Sequence, residues 1–370
     1  MIIGIPKETK TGEGRVALLP SAVRQLVTLG HQVRLETQAG WLAGFSDEDY
    51  AGAGATITGV AEAWCSDLVV KVKEPLPEEY GYLGRQMLFT FLHLSGVDRE
   101  LTETLLAQRT TALGYETLED SQGGLPLLAP MSAIAGNMAT QVGAHYLAKT
   151  LGGRGTQLGQ VLGVSHGQVV ILGDGTVAQH AASTALGLGA QVLLIGLDEG
   201  KVSFLSARYG DRFRFVKAAQ MSLDEVLPDT DLLIGAVLQK GARADSIVKH
   251  SHVKMMPKGS VIVDVSIDQG GCVETSHATS HDNPIFEVDG VIHYAVSNMP
   301  GAYPRTATVA LSEVVRPFVV ALAQEGLDAL AKDQGFAKSL QTLNGKIRLA
   351  SVAHDLGLSG LYDPNPFLAE

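Results

Sequence analysis

Residues 168–189 read QVVILGDGTVAQHAASTALGLG, and their reading decides the fold. A β-branched apolar run, Gln168 to Leu172, stops at Gly173-Asp174-Gly175-Thr176-Val177-Ala178, and a helix-forming stretch follows at once. The pattern is G-x-G-x-x-A between a strand and a helix. Gly173 permits the tight turn, Gly175 lets the backbone approach a pyrophosphate, and small Ala178 lets helix and strand pack closely. Thr176 and Val177 open the helix, whose free N–H groups and positive dipole end suit phosphate. A glycine-rich turn that binds nothing is the plainer alternative, and the strand-turn-helix context weighs against it.

The second element of such a fingerprint is an acid at the end of the next strand, which holds a ribose hydroxyl. That strand, Gln191 to Ile195, ends in Gly196, with Asp198 and Glu199 just beyond. Either Asp198 reaches the ribose from the loop and the cofactor is NAD, or the gap admits a 2′-phosphate partnered by Lys201 or Arg208. Two adjacent carboxylates repel a phosphate, so NAD is expected.

Outward from this unit, short β-branched runs at 2–5, 32–36, 68–73, 87–92, 191–195, 231–235 and 260–265 alternate with amphipathic stretches such as 20–29. Alternation of this kind predicts an α/β protein with parallel sheets. We expect two Rossmann-like domains with the active site in the interdomain cleft. Gly123-Gly124-Leu125-Pro126 precedes a long helix candidate, roughly Ser132 to Leu151, ended by Gly152-Gly153. The dinucleotide domain is therefore expected at 129–307, inserted in a substrate domain formed by 1–128 and 308–370. The last 60 or so residues read as helices.

Composition narrows the class. Of 370 residues, 45% are hydrophobic and 18% charged, enough apolar surface for large cores. The formal charge of -11 disfavours a phosphate backbone as partner, and no basic stripe offsets it. Two cysteines, Cys65 and Cys272, form neither a disulfide framework nor a metal set. His166, His180 and His277 show no ligand spacing, so no metal is expected. Neither a signal peptide nor an uncharged apolar run of about 18 residues is visible, so the expected location is cytoplasmic.

Ligands of parallel α/β sheets lie outside the C-terminal strand ends. The polar residues there are Arg15 in KTGEGRVALLP (10–20), Lys73 in VVKVKEP (69–75), His93 in FTFLHLSG (89–96), Asp268 in VDVSIDQGG (263–271) and Asn298 in VIHYAVSNMPG (291–301). Arg15 can hold a carboxylate bidentately, and Lys73 can add charge or polarise a carbonyl. His93 and Asp268 can carry protons. Each also has a bland reading: a solvated loop arginine, an exposed strand face shared by Lys71 and Lys73, a core histidine, and a turn-capping aspartate. Together they suit hydride transfer to a small α-keto acid or its imine.

At these residues the chain resembles the alanine dehydrogenase family over essentially its whole length. The stretches that carry the resemblance are IGIPKETKTGEGRVALLP (3–20), VVKVKEP (69–75), LFTFLHLS (88–95), QVGAHYLAKTLGGRGTQLG (141–159), DVSIDQGG (264–271) and NMPGAYPRTAT (298–308). The resemblance implies reversible, NAD-linked oxidative deamination of L-alanine to pyruvate and ammonium, usually by a homohexamer. It implies Arg15 and Lys73 as the pyruvate-binding pair and His93 and Asp268 as the catalytic pair. It places Ser132, Val177, Leu238, Ile267, Asn298 and Met299 at cofactor-contacting positions. Three departures stand out: Gly196 replaces an expected acid, Ala133 and Asn137 in PMSAIAGNMA (130–139) replace Glu and Arg, and Phe91 replaces a common Tyr. Two other readings stay open, namely a transhydrogenase-like subunit passing hydride to a partner-held nucleotide, and an enzyme for another amino acid or for NADP.

Overall fold

The computed structural model describes residues 1–237 and 246–368. The chain forms two compact units, Met1–Met131 with Gly301–Glu370, and Ser132–Pro300. The divisions fall at 131/132 and 300/301, whereas the sequence suggests 128/129 and 307/308. The second boundary comes early because the helix Pro304–Glu325 buries Ala307, Leu311, Val315, Val319 and Leu322. By length and composition that helix could cross a membrane. Its stripe of buried residues, together with Glu313 and Arg316 on the opposite face, is that of a core helix.

The first unit is built on an eight-stranded sheet. Its strands are β1 (Ile2–Ile5), β2 (Gln32–Glu36), β3 (Thr56–Thr58), β4 (Leu68–Val70), β5 (Met87–Thr90) and β6 (Thr111–Gly114). The second unit contributes β7 (Gly159–Val161), β8 (Val164–His166), β9 (Gln168–Leu172), β10 (Gln191–Gly196), β11 (Phe213–Lys217), β12 (Leu232–Gly235), β13 (Val261–Asp264), β14 (Ile285–Val288) and β15 (Val291–Tyr294). β16 (Leu340–Leu343) and β17 (Lys346–Ile347) return to the first sheet.

The first sheet runs β17-β16-β6-β5-β4-β1-β2-β3. β1 to β6 are mutually parallel, and β16 and β17 are antiparallel additions. The chain starts at β1, moves outward through β2 and β3, then returns to β1's other side at β4. The strand order reverses between β1 and β4, which is where such sheets open a crevice for ligands. The expectation that the C-terminal stretch is purely helical is corrected by β16 and β17. They form a hairpin about Asn344-Gly345, both at positive φ (54° and 77°), the turn that Asn-Gly favours.

The second sheet runs β11-β10-β9-β12-β13-β15-β14, parallel except for β14 at the edge. Here the order reverses between β9 and β12, so the turn after β9 sits at the switch point. The central strands are buried on both faces: Val169, Val170, Ile171, Leu232, Leu233, Ile234, Val261 and Ile262 have no exposed surface. That explains their unbroken apolar runs. β7 and β8 form a separate hairpin.

Candidate active site

In the first unit, three predicted residues leave neighbouring strands at their C-terminal ends. Arg15 follows β1, Lys73 follows β4 and His93 follows β5, flanking the β1/β4 switch point. Arg15 is not a solvated loop residue; it is 2% exposed. Glu13 holds it side-on, with Arg15 Nε donating to Glu13 Oε1 at 2.6 Å and Nη2 donating to Oε2. Nη1 points at the sulfur of Met131, 2.9 Å away. Burial pushes the Glu13 carboxyl up, but the Arg15 hydrogen bonds and charge outweigh it and hold Glu13 below the usual range.

The reading of Lys71 and Lys73 as one exposed strand face is overturned. Lys71 is fully buried, with Nζ 2.8 Å from Glu79 Oε1 and 3.2 Å from Glu8 Oε2. Regular β4 ends at Val70. Beyond it the Lys71 N–H still donates to Phe89 O at 3.1 Å and Val72 O accepts the Phe91 N–H at 3.2 Å, while the Val72 N–H donates to Glu8 Oε1 at 2.6 Å. Lys73 lies beyond that end, half-buried. Burial first, and then the Arg15 charge, lower its pKa from the ordinary lysine value.

His93 is exposed rather than part of the core. Its backbone is left-handed, φ 47°, a sparsely populated conformation for a non-glycine residue. Glu116, at the end of β6, pins this turn by accepting the His93 N–H at 2.8 Å and the Leu92 N–H at 3.1 Å. Gln341 of β16 donates to the same carboxylate at 2.6 Å. The His93 ring lies parallel to Phe91, centroids 5.8 Å apart, and Phe91 packs edge-on against Tyr115 at 5.0 Å.

The second unit carries the other predicted residues. Gly173 has φ 114°, and a Cβ there would meet Ala236 O at 2.3 Å, so only glycine fits the turn. Gly175 is the N-cap of the helix Thr176–Leu188, and a Cβ there would project into open space. A helix N-terminus with no side-chain cap and open space at its N-cap glycine suits an approaching pyrophosphate. Ala178 is fully buried where helix and sheet meet. Thr176 and Val177 are half-exposed at the first helical turn, and Ser132 is half-exposed near the start of the helix Ala129–Tyr146. That helix crosses the other at Gly136, where a Cβ would strike Val177 O at 2.3 Å. Asn137 accepts a hydrogen bond from Thr184 Oγ1 at 2.8 Å and ties the two helices together.

Asp268 lies exposed in the 3-10 turn Val265–Gln269, after β13. It accepts the Asn298 backbone N–H at 3.1 Å, and Asn298 takes φ 55°. Asp268 therefore braces the Asn298 turn while its carboxylate stays accessible. Ile267 and Met299 are buried beside these two residues. Asp198 is exposed and caps Gly200 N–H at 2.9 Å. Leu238 lies outside the described residues. No group of three or more His, Cys, Asp or Glu suited to a metal ion occurs among the described residues.

Sequence reasoning missed Glu13, Glu116, Asp174 and Asp264. Buried Asp264 accepts the backbone N–H groups of Ser266, Cys272 and Val273 and so shapes the loop that presents Asp268. Glu13 was within reach of a sequence argument, two residues before Arg15. Glu116 meets His93 only through the pairing of β5 with β6, which no local pattern announces. An open groove of about 860 Å³ lies at the opposite, N-terminal edge of the first sheet, lined by Ile2, Arg34, Trp64, Asp67, Met87 and Thr111. None of the candidate residues lines it.

Comparisons with known proteins bear on the family and the fold. Residues 4–135 match the family "Alanine dehydrogenase/PNT, N-terminal domain", and residues 139–350 match "Alanine dehydrogenase/PNT, C-terminal domain". The chain is 47% identical over 361 residues to an alanine dehydrogenase of Bacillus subtilis (strain 168), covering 96% of this chain and 95% of that protein. It is 43% identical over 373 residues to an alanine dehydrogenase of Mycolicibacterium smegmatis, covering 100% of both. A solved L-alanine dehydrogenase superposes with a TM-score of 0.91 at 49% identity, covering 96% of this chain and 99% of that one. A transhydrogenase from Sinorhizobium meliloti, TM-score 0.79 at 22% identity, covers 94% of this chain and 98% of its own and shares the fold. Family matches across both units and full-length relatives above 40% identity lead to one conclusion: the chain belongs to the alanine dehydrogenase/PNT family.

Proposed function

We propose that the protein catalyses the reversible, NAD-linked oxidative deamination of L-alanine to pyruvate and ammonium. The observation that carries this reading is the emergence of Arg15, Lys73 and His93 from adjacent strand ends at one switch point. The dinucleotide, when bound on the Gly173–Ala178 turn, supplies a hydride acceptor. Arg15, fixed from behind by Glu13, and Lys73 hold the substrate carboxylate. His93 takes a proton from the water that adds to the imine carbon and returns one to the departing ammonia. Asp268 is the second proton carrier, its carboxylate steadied by the Asn298 N–H. A homo-oligomer of six copies in the cytoplasm completes the reading.

Absorbance at 340 nm with pyruvate, ammonium and NADH tests it, with NADPH and a panel of keto acids as controls. Rapid NADH oxidation is expected with pyruvate. Preference for a larger keto acid would replace alanine by another amino acid, and no turnover with any of them would favour a transhydrogenase-like subunit.

The lowered pKa of Lys73 sets the sign of a pH dependence. The ammonium form binds the carboxylate, so pyruvate affinity falls as pH rises through the lowered value, before an ordinary lysine would titrate. The arriving anion favours the charged form, so pyruvate binding takes up protons in that window. Calorimetry of pyruvate binding in buffers of different ionisation enthalpy measures this uptake. Uptake that persists in Lys73→Met would remove Lys73 from the substrate site.

A further inference from the structure

We propose that Asp174, not a residue at the end of β10, is the acid that selects the cofactor here, and that Lys201 opposes it. The Asp174 carboxylate accepts the ribose hydroxyls of NAD(H), and Lys201 is the cation that would receive the 2′-phosphate of NADP(H). The inference rests on the reading of the second unit as a nicotinamide dinucleotide domain.

In dinucleotide folds the selecting acid stands at the end of the second strand, about 20 residues after the first glycine of the fingerprint. Here that place is Gly196, and the neighbouring side chains leave no room for an acid. A Cβ at Gly196 would lie 2.9 Å from Asp174 Cβ, 3.0 Å from Asp174 Oδ2 and 3.1 Å from the Phe215 ring. The volume of the expected side chain is filled by a carboxylate that comes from the phosphate turn. Gly196 and Asp174 are one exchange: glycine at the strand end admits aspartate from the loop.

Its hydrogen bonds fit the role. Oδ2 accepts the N–H groups of Leu197 at 2.6 Å and Asp198 at 2.8 Å, which fixes the carboxylate at the end of β10. Oδ1 meets Lys201 Nζ at 3.1 Å, on a side chain 51% exposed. A ribose hydroxyl can take the place of so exposed a partner. Burial pushes the Asp174 carboxyl up, but the Asp198 and Leu197 N–H groups and Lys201 outweigh it, so the group stays ionised and acceptor-only. An ionised acceptor favours a diol and repels a 2′-phosphate. Asp198, by contrast, turns its carboxylate onto Gly200 N–H.

The competing account is that Asp174 only braces the turn 197–201. Fluorescence titration of substrate-free protein with NADH and with NADPH separates the two. Asp174→Asn keeps an oxygen for the Leu197 and Asp198 N–H groups and removes the charge. It is expected to weaken NADH by about tenfold or more and to lower the NADH:NADPH affinity ratio. Lys201→Met changes an exposed residue and is expected to weaken NADPH and raise that ratio. Equal weakening of both cofactors in Asp174→Asn, or a ratio that Lys201→Met leaves unmoved, would overturn the proposal. Wild-type protein that binds neither cofactor would overturn the dinucleotide reading itself.

Discussion

Replacing His93 by alanine is expected to lower turnover with pyruvate and ammonium at least about a hundredfold, the usual scale for a lost acid–base group. NADH binding should stay at its wild-type value, because the phosphate turn and Gly196 belong to the other unit. The structural case is the placement of the ring. β5 delivers His93 at its C-terminal end, and Glu116 holds its N–H at 2.8 Å in a left-handed conformation that a free chain avoids. Little packing depends on the exposed ring, so the fold should tolerate its loss. Alanine does pay a small strain at φ 47°, and His93→Asn controls for it, since asparagine enters that region readily. Both variants should lose turnover alike. If either keeps wild-type turnover, His93 is a surface residue and the proton-transfer scheme fails.

How much of this was legible in the sequence follows from how local each feature is. The strand, turn and helix at 168–188 are specified by contiguous residues, and the structure reproduces them nearly to the residue. The strand runs at 68–73 and 87–92 were read too long for a non-local reason. Glu8 and Glu116 capture the N–H groups of Val72 and Leu92, so regular strand stops at Val70 and Thr90 although the Phe91 N–H still reaches Val72 O at 3.2 Å. The β16–β17 hairpin was legible in Asn344-Gly345 but lay in a stretch read for helical periodicity alone. The gap at Gly196 was visible, yet what fills it was not. Asp174 lies 22 residues earlier in the chain, and only the pairing of β9 with β10 brings the two together. The candidate residues at strand ends could therefore be named from the sequence, whereas Glu116 at His93 and Asp174 at Gly196 are set by sheet order.

Glu13→Ala is expected to destabilise the protein by about 3–5 kcal/mol, the cost of leaving a buried charge without its partner. Arg15 is 2% exposed and Glu13 is 4% exposed, so water cannot replace the lost carboxylate. The pair is bonded through both carboxylate oxygens, and Glu13 Oε1 also accepts the Arg15 backbone N–H at 3.0 Å. Glu13 thus fixes the loop after β1 as well as the guanidinium. A buried ion pair is costly to break from one side but contributes little net stability against an apolar pair of similar size. Adding Arg15→Met to Glu13→Ala should consequently recover a large part of the loss, although the double variant loses its carboxylate-binding group. Denaturant unfolding of the wild type, the two single variants and the double variant gives the coupling directly. A double variant no more stable than Glu13→Ala alone would show that Glu13 acts through the loop backbone and not through the Arg15 charge.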